Sequence, residues 1–217
     1  MKNTILLFIA LLSLNVSAQK ELNEGSITLK MTMSTDNEQA KAALAMMGDI
    51  TVTSYFKDDK SRTEQSHEMT GSNISIVDDT SKKILVLMDN PMMGKKYTES
   101  DVSVSDEDLK NITVTSKGDT KSVAGYLCKG YDVSIKKNDA EIKMVMYVTD
   151  KITAPNQNTA ALGDKINGYP LFMIIYAKQG PVDMEITMEA TEVKAEQIDD
   201  SKFDMTIPNG YSKITPP

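Results

Sequence analysis

Tryptophan is absent, phenylalanine occurs four times, and the chain holds one cysteine, one histidine and one arginine. Each scarcity closes off some chemistry. With Cys128 alone there is no internal disulfide, so the fold must be stable by burial. A lone histidine, His67, and a lone thiol hardly supply the ligands of a zinc site. A Ser-His-Asp relay would have to use His67, and no Gly-x-Ser-x-Gly nucleophile turn accompanies it. Glycine-rich phosphate loops are missing too. No catalytic, cofactor-binding or metal-binding residue is therefore expected, and no cofactor; a hydrolase is the weakest reading. Basic charge is also short: 24 Lys and Arg stand against 31 Asp and Glu, a net charge of −7. That balance argues against nucleic acid, which needs a basic face, and against binding anionic lipid by charge alone.

The single residues have ordinary readings. Cys128 reads as a small buried apolar residue, and His67 as a solvated strand histidine. Arg62 reads as a structural tie between a polar hairpin and its sheet, with an anionic head group as the second reading. The acidic groups Asp78-Asp79, Asp106-Glu107-Asp108 and Asp199-Asp200 lack the Asp-x-Asp-x-Asp-Gly spacing of a calcium loop. They fall in turns, where Asp is common for backbone reasons.

The first residues read as an export signal. Lys2 is the positive region, Ile5–Leu12 an apolar run too short to span a bilayer, and Val16-Ser17-Ala18 a small-residue cleavage site. Residues 1–18 are the expected signal peptide and 19–217 a single domain. No later stretch is apolar enough to cross a membrane. Export is expected, to the periplasm of a Gram-negative bacterium or beyond it by secretion.

Past the leader the chain alternates. Ile27, Leu29, Met31 and Met33 share one face of a strand over residues 25–34. Ala40, Ala43, Leu44 and Met47 then fall at helical spacing, behind candidate caps Ser34, Thr35 and Asp36 and before a stop at Gly48. The helix is expected to pack on the sheet or lie over its opening. Period two returns over residues 50–57. Lys60–Met69 is so polar that it reads as an edge strand or one that faces water on both sides. Ile84–Met88 is apolar on both faces and reads as central or as covered by a helix. A helical turn is expected around Asp106–Leu109 and another at Asn158–Leu162. Val123 leads through a turn at Ala124-Gly125 into a strand with Leu127, Tyr131, Val133 and Ile135 on one face. Ile142, Met144, Met146 and Val148 share a face of the next strand. Leu171–Ala177 is apolar on both faces. Val182, Met184, Ile186, Met188 and Ala190 oppose Asp183, Glu185, Thr187 and Glu189. About ten strands joined by short turns predict a mainly antiparallel β protein that must close, sandwich or curl.

Short motifs carry a resemblance. Tyr55-Phe56-Lys57-Asp58-Asp59-Lys60-Ser61-Arg62 resembles the strand-turn-strand of an uncharacterised family of exported bacterial proteins. So do Val123–Tyr131, Thr149-Asp150-Lys151-Ile152 and Gly168-Tyr169-Pro170-Leu171. Asp204–Tyr211 resembles the closing strand and turn of the wider lipoprotein-carrier (LolA/LolB-like) superfamily. The resemblance covers most of the chain after the leader. It implies a curled antiparallel sheet, an incomplete barrel with one or more short helices packed on or in it. It also implies an apolar interior that in the carriers holds the acyl chains of lipoproteins. Here the first strand precedes the helix, and no motif identifies a lipoprotein-transfer partner.

Fifteen methionines need an account. Methionine is unbranched and polarizable, and can repack around apolar ligands of variable shape. Leu29, Met31, Met33, Leu44, Met47, Met144, Met146, Met184, Ile186 and Met188 are the candidate lining of an apolar ligand cavity. The competing reading is a filled core in which methionine replaces leucine. The expected function is therefore a non-enzymatic envelope protein that holds a lipid, acyl chain or lipidated partner. The alternative is a structural or interaction module with a filled core and no small ligand. Oligomeric state is not legible.

Overall fold

The computed structural model describes residues 21–102, 104–137, 140–179 and 182–214. In chain order the elements are β1 (Glu24–Thr35), α1 (Glu38–Met47), β2 (Ile50–Lys57), β3 (Lys60–His67), β4 (Gly71–Asp78), β5 (Lys83–Asn90) and β6 (Gly94–Asp101). Then follow α2 (Asp106–Lys110), β7 (Ile112–Val123), β8 (Tyr126–Lys137), β9 (Ala140–Thr149), α3 (Gln157–Ala160), β10 (Tyr169–Gln179), β11 (Val182–Lys194) and β12 (Ser212–Lys213).

Twelve strands make one sheet in the order β12-β6-β5-β4-β3-β2-β1-β11-β10-β9-β8-β7. Every pairing is antiparallel except β12 on β6. The sheet is two meanders joined where β1 pairs with β11. The chain passes from β6, near one edge, straight to β7, at the other edge. Laid flat, those strands would stand roughly 48 Å apart at ~4.8 Å per strand. The link between them is short, and part of it is wound into α2, so it reaches well under about 35 Å. The sheet must therefore curl until its two halves approach each other.

Local signals place the turns. Ala124 and Gly125 both have positive φ, 47° and 84°, as a two-residue hairpin turn requires. Helix α1 stops at Gly48, whose N–H donates to the Leu44 carbonyl. Its cap is Asn37 rather than the three residues before it; the Asn37 side chain accepts from the Ala40 N–H. Helix α2 forms at the acidic stretch and is capped by Ser105. The remaining acidic turns bond to their own backbone. Asp78 accepts from Thr80 and Ser81, and Asp199 from Ser201.

Strand β3 corrects the sequence reading. It is an interior strand between β2 and β4, and the edges are β7 and β12. Arg62, Thr63 and Glu64 find partners inside the fold. Arg62 Nε donates to Glu64 at 2.5 Å and Arg62 Nη1 to the Lys202 carbonyl at 3.2 Å. Lys202 reaches Glu64 at 3.2 Å, and Ser54 and Thr63 hydroxyls meet at 3.2 Å. The 3-10 turn Asp200–Phe203 is thus fastened across β3; Arg62 is structural, but what it ties to the sheet is this C-terminal turn rather than the polar hairpin. Burial works to raise the Glu64 pKa, but hydrogen bonds from Arg62 and Lys202 outweigh it and hold the carboxyl below its usual range. The stability this adds is present at neutral pH and is lost as pH falls through the lowered value.

Beyond β3, Ile76, Leu85 and Leu87 are buried beneath Met205, Ile207 and Tyr211 of the C-terminal segment. Strand β5 is internal, as its two-sided apolar pattern predicts. In the other meander β7 and β8 slip register between Ser116 and Thr120. The far half of β7 there lies across the face of β9–β11 that carries Tyr147, Phe172 and Glu189. Tyr147 donates to Asp119 at 3.0 Å, and Lys121 pairs with Glu189 at 3.2 Å and sits over the Phe172 ring. Gly130 leaves room for this crossing: a Cβ there would come within 2.2 Å of Asp119 Oδ1.

Residues 126–128 project past β9, and Cys128, not Leu127, faces the packed side. Leu127 is exposed, contrary to its expected place beside Tyr131. Cys128 is fully buried, and burial pushes its thiol up to about 11 against a lowering by Lys121. At pH 8 it is protonated as well as enclosed. Iodoacetamide at that pH is expected to leave it unmodified in the folded protein and to label it in urea, as read by intact mass.

Candidate apolar site

Successive residues of a strand point to opposite faces, so cross-strand register decides which apolar side chains meet. Met31 stands opposite Met188, Met188 opposite Met173, Met173 opposite Met146, and Met146 opposite Tyr131. Four methionines thus form one unbroken row across β1, β11, β10 and β9. Two residues along, Met33, Ile186, Ile175, Met144, Val133 and Val114 form a parallel row. Met184 opposes Thr35 and Ala177 in the next. All eight strand residues of the candidate lining lie on this one face, which the curl makes concave.

The face is not uniform. Met146 is fully buried and Met173 and Met144 nearly so, in a cluster with Leu162 and Ile166 from the β9–β10 connection and Leu109 from α2. Leu29 and Met31 are buried in a second cluster with Val52, Phe56 and Tyr169. The Tyr169 hydroxyl donates to Ser54 at 2.8 Å, which satisfies it inside the core. Met33, Met184, Ile186 and Met188 are only half-buried. Four of the eight strand residues are therefore core, and four floor the partly open part of the face.

Helix α1 stands at that end. None of its residues is buried; Leu44 and Met47 are half-buried, and Met47 packs against the cluster of Leu29 and Met31. Of the two expected positions, on the sheet or over its opening, the Met47 contact gives the first. His67 ties it down. Its Nδ1 accepts from the Met69 N–H at 3.2 Å, so its Nε2 carries the proton and donates to the Met47 carbonyl at 3.0 Å. The histidine is thus a half-buried strut between helix and turn rather than a solvated strand residue.

A recess of about 960 Å³ sits at this end of β1, β9, β10 and β11. Thr35, Ile142, Ala177 and Met184 border it from the concave face, and Glu141, Lys143 and Glu185 from its rim. A second recess of about 830 Å³ lies at the opposite end, among the β2–β3 and β4–β5 turns and the β9–β10 connection. It is lined by Asp58, Asp59, Asp79, Asp150 and Asp164 besides apolar groups. Among the described residues no three His, Cys, Asp or Glu side chains are grouped to hold a metal ion.

Met173 and Ile175 belong to the concave face and were not assigned to it from sequence. Their strand is apolar on both sides, so alternation alone gave no facing; the pairing with Met146 and Met188 does.

A family model, described as a domain of unknown function (DUF4412), matches residues 23–211. The chain belongs to this family. The match runs from just before β1 to just before β12, so it takes in both meanders as one unit, in keeping with the short motifs of the hairpins. No curated protein matches the sequence. Among solved structures, the crystal structure of PNGF-II is similar at 14% identity and a TM-score of 0.50. The likeness covers 87% of this chain and 30% of that one, so the present chain spans under a third of PNGF-II, and the likeness is one of fold. The lipoprotein LppX of Mycobacterium tuberculosis is similar at 8% identity and a TM-score of 0.35, over 81% of this chain and 89% of that one. No helix among the described residues is long and apolar enough to cross a membrane.

Proposed function

We propose that the protein is a non-catalytic binding protein of the cell envelope, exported to the periplasm. It would hold an acyl chain, as a free lipid or part of a lipidated partner, against the open part of its concave face. One observation carries this reading. A continuous apolar face runs from solid core at Met146 and Met173 to half-buried side chains at Met33, Met184, Ile186 and Met188. It ends at a recess, and α1, whose Leu44 and Met47 are half-buried, stands at the same end. Unbranched thioether side chains on such a floor can follow a flexible apolar guest. The recess is of the size that holds small apolar ligands, roughly 300–1,000 Å³. Its rim carries Glu141, Lys143 and Glu185, which suit a polar head left at the surface.

The burial of Leu29, Met31, Met144 and Met146 favours the second reading, a filled core in an envelope interaction module without a small ligand. Native mass spectrometry of the protein purified from an envelope without detergent separates the two. A co-purifying lipid mass, removed by organic extraction and restored by added fatty acid, is the expected result. A bare mass with no uptake of fatty acid or phospholipid would sink the ligand reading and leave the filled core.

A further inference from the structure

One rim of the curled sheet concentrates exposed apolar side chains. Met46 is 78% exposed at the end of α1, Met69 59% in the β3–β4 turn, and Met92 and Met93 96% and 64% in the β5–β6 turn. These are four of the eight large apolar side chains exposed among the described residues. The three segments are joined. His67 bonds the end of α1 to the β3–β4 turn, and the Asn90 side chain donates to the Thr70 carbonyl at 3.2 Å, bonding that turn to the next. Asn90 also accepts from the Met92 and Met93 N–H groups, which fixes the turn that presents them. The methionines thus stand on one braced platform.

The charges beside them are largely spent on each other. Lys41 pairs with Glu38 and Lys30 with Asp49, each at 2.7 Å, and Lys95 with Asp89 at 3.6 Å. Glu68 and Lys96 add one charge of each sign. A neutral belt of internal ion pairs neither seeks nor repels a charged partner; its complement is a layer that is itself zwitterionic. The methionines protrude from turn tips and a helix end, so they suit a fluid apolar medium better than a shaped protein surface.

We propose that this rim docks on the surface of a zwitterionic lipid bilayer, with Met46, Met69, Met92 and Met93 entering the interface between head groups and acyl chains. The rim does not depend on a ligand in the concave face. The chain has no tryptophan, so a Met92→Trp variant carries a single reporter at the tip. Flotation with phosphatidylcholine vesicles is expected to carry the wild-type protein, with no gain from added phosphatidylglycerol and little loss in high salt. The tryptophan emission should shift to the blue on those vesicles and be quenched by brominated acyl chains. The combined Met46→Gln, Met69→Gln, Met92→Gln and Met93→Gln variant should keep its melting temperature and any fatty-acid uptake, but lose flotation. The proposal fails if the wild type ignores phosphatidylcholine, or binds only anionic vesicles in a salt-sensitive way. It also fails if the glutamine variant floats like wild type. Self-association lost in the glutamine variant, without vesicle binding, would reassign the rim to a contact between copies of this chain.

Discussion

Met146→Ala is expected to destabilise the protein by about 3 kcal/mol, within the ~2–5 kcal/mol span of buried Met-to-Ala changes. Met188→Ala, its neighbour but one in the same row, should lose only about 1 kcal/mol or less. The contrast follows from what covers each side chain. Met146 is fully buried under Leu162 and Ile166, parts of a connection held in place by capping bonds at Asn156 and by Lys165 Nζ on the Ile112 carbonyl at 2.8 Å. A cavity there cannot readily collapse, so the lost transfer energy and the lost contacts add. Met188 is half-buried and its surroundings can relax. Urea unfolding of the two variants measures both. Equal losses would mean that the concave face is closed along its whole length. That would remove the partly open floor on which the ligand reading stands.

The second large effect is at Gly71, where the chain leaves the β3–β4 turn. Its φ is +84°, and a Cβ would lie 1.9 Å from the backbone oxygen of Asp89 and 3.0 Å from Pro91 Cδ. Positive φ alone would penalise alanine by about 1 kcal/mol or more. The clash is with backbone, so β4 and the end of β5 must also separate. Gly71→Ala should therefore destabilise by about 3 kcal/mol in all. It should also loosen the Asn90–Thr70 bond that braces the two methionine-bearing turns. Gly94 serves as the control: its φ is +71°, but a Cβ would meet nothing within 4 Å. Gly94→Ala should show only the smaller penalty of positive φ. Similar losses at both positions would show that the approach to Asp89 adds nothing.

The sequence carried the strands well because alternation reports a half-buried sheet residue by residue. β1, β9 and β11 could be faced correctly from Ile27 to Met33, from Ile142 to Val148 and from Val182 to Ala190. It failed where polarity was answered at a distance. Lys60–Met69 read as an edge because nothing nearby reveals that Lys202, 138 residues on, supplies the partner for Glu64. Leu127 was misplaced because alternation says nothing of where a neighbouring strand ends. The candidate lining was legible as a set: eight side chains on three strands share one face. The division of that set into core and open floor was not. It depends on Leu109, Leu162 and Ile166, which arrive from loops whose positions no period encodes.

The pairing of β1 with β11 bears on how the protein is made. Each meander is built of strands that are neighbours in sequence and can begin to form on its own. The sheet becomes one body only when the first strand meets the eleventh; Thr191 donates to the Thr28 carbonyl across 163 residues of sequence. Contacts that distant form late and slowly, because a long loop must close before they repay it. Until residue 194 is available, β1 lacks one of its two neighbours. In the export proposed above, the chain would carry its own delay: β1, the first strand, is locked into the sheet by β11, the eleventh of twelve.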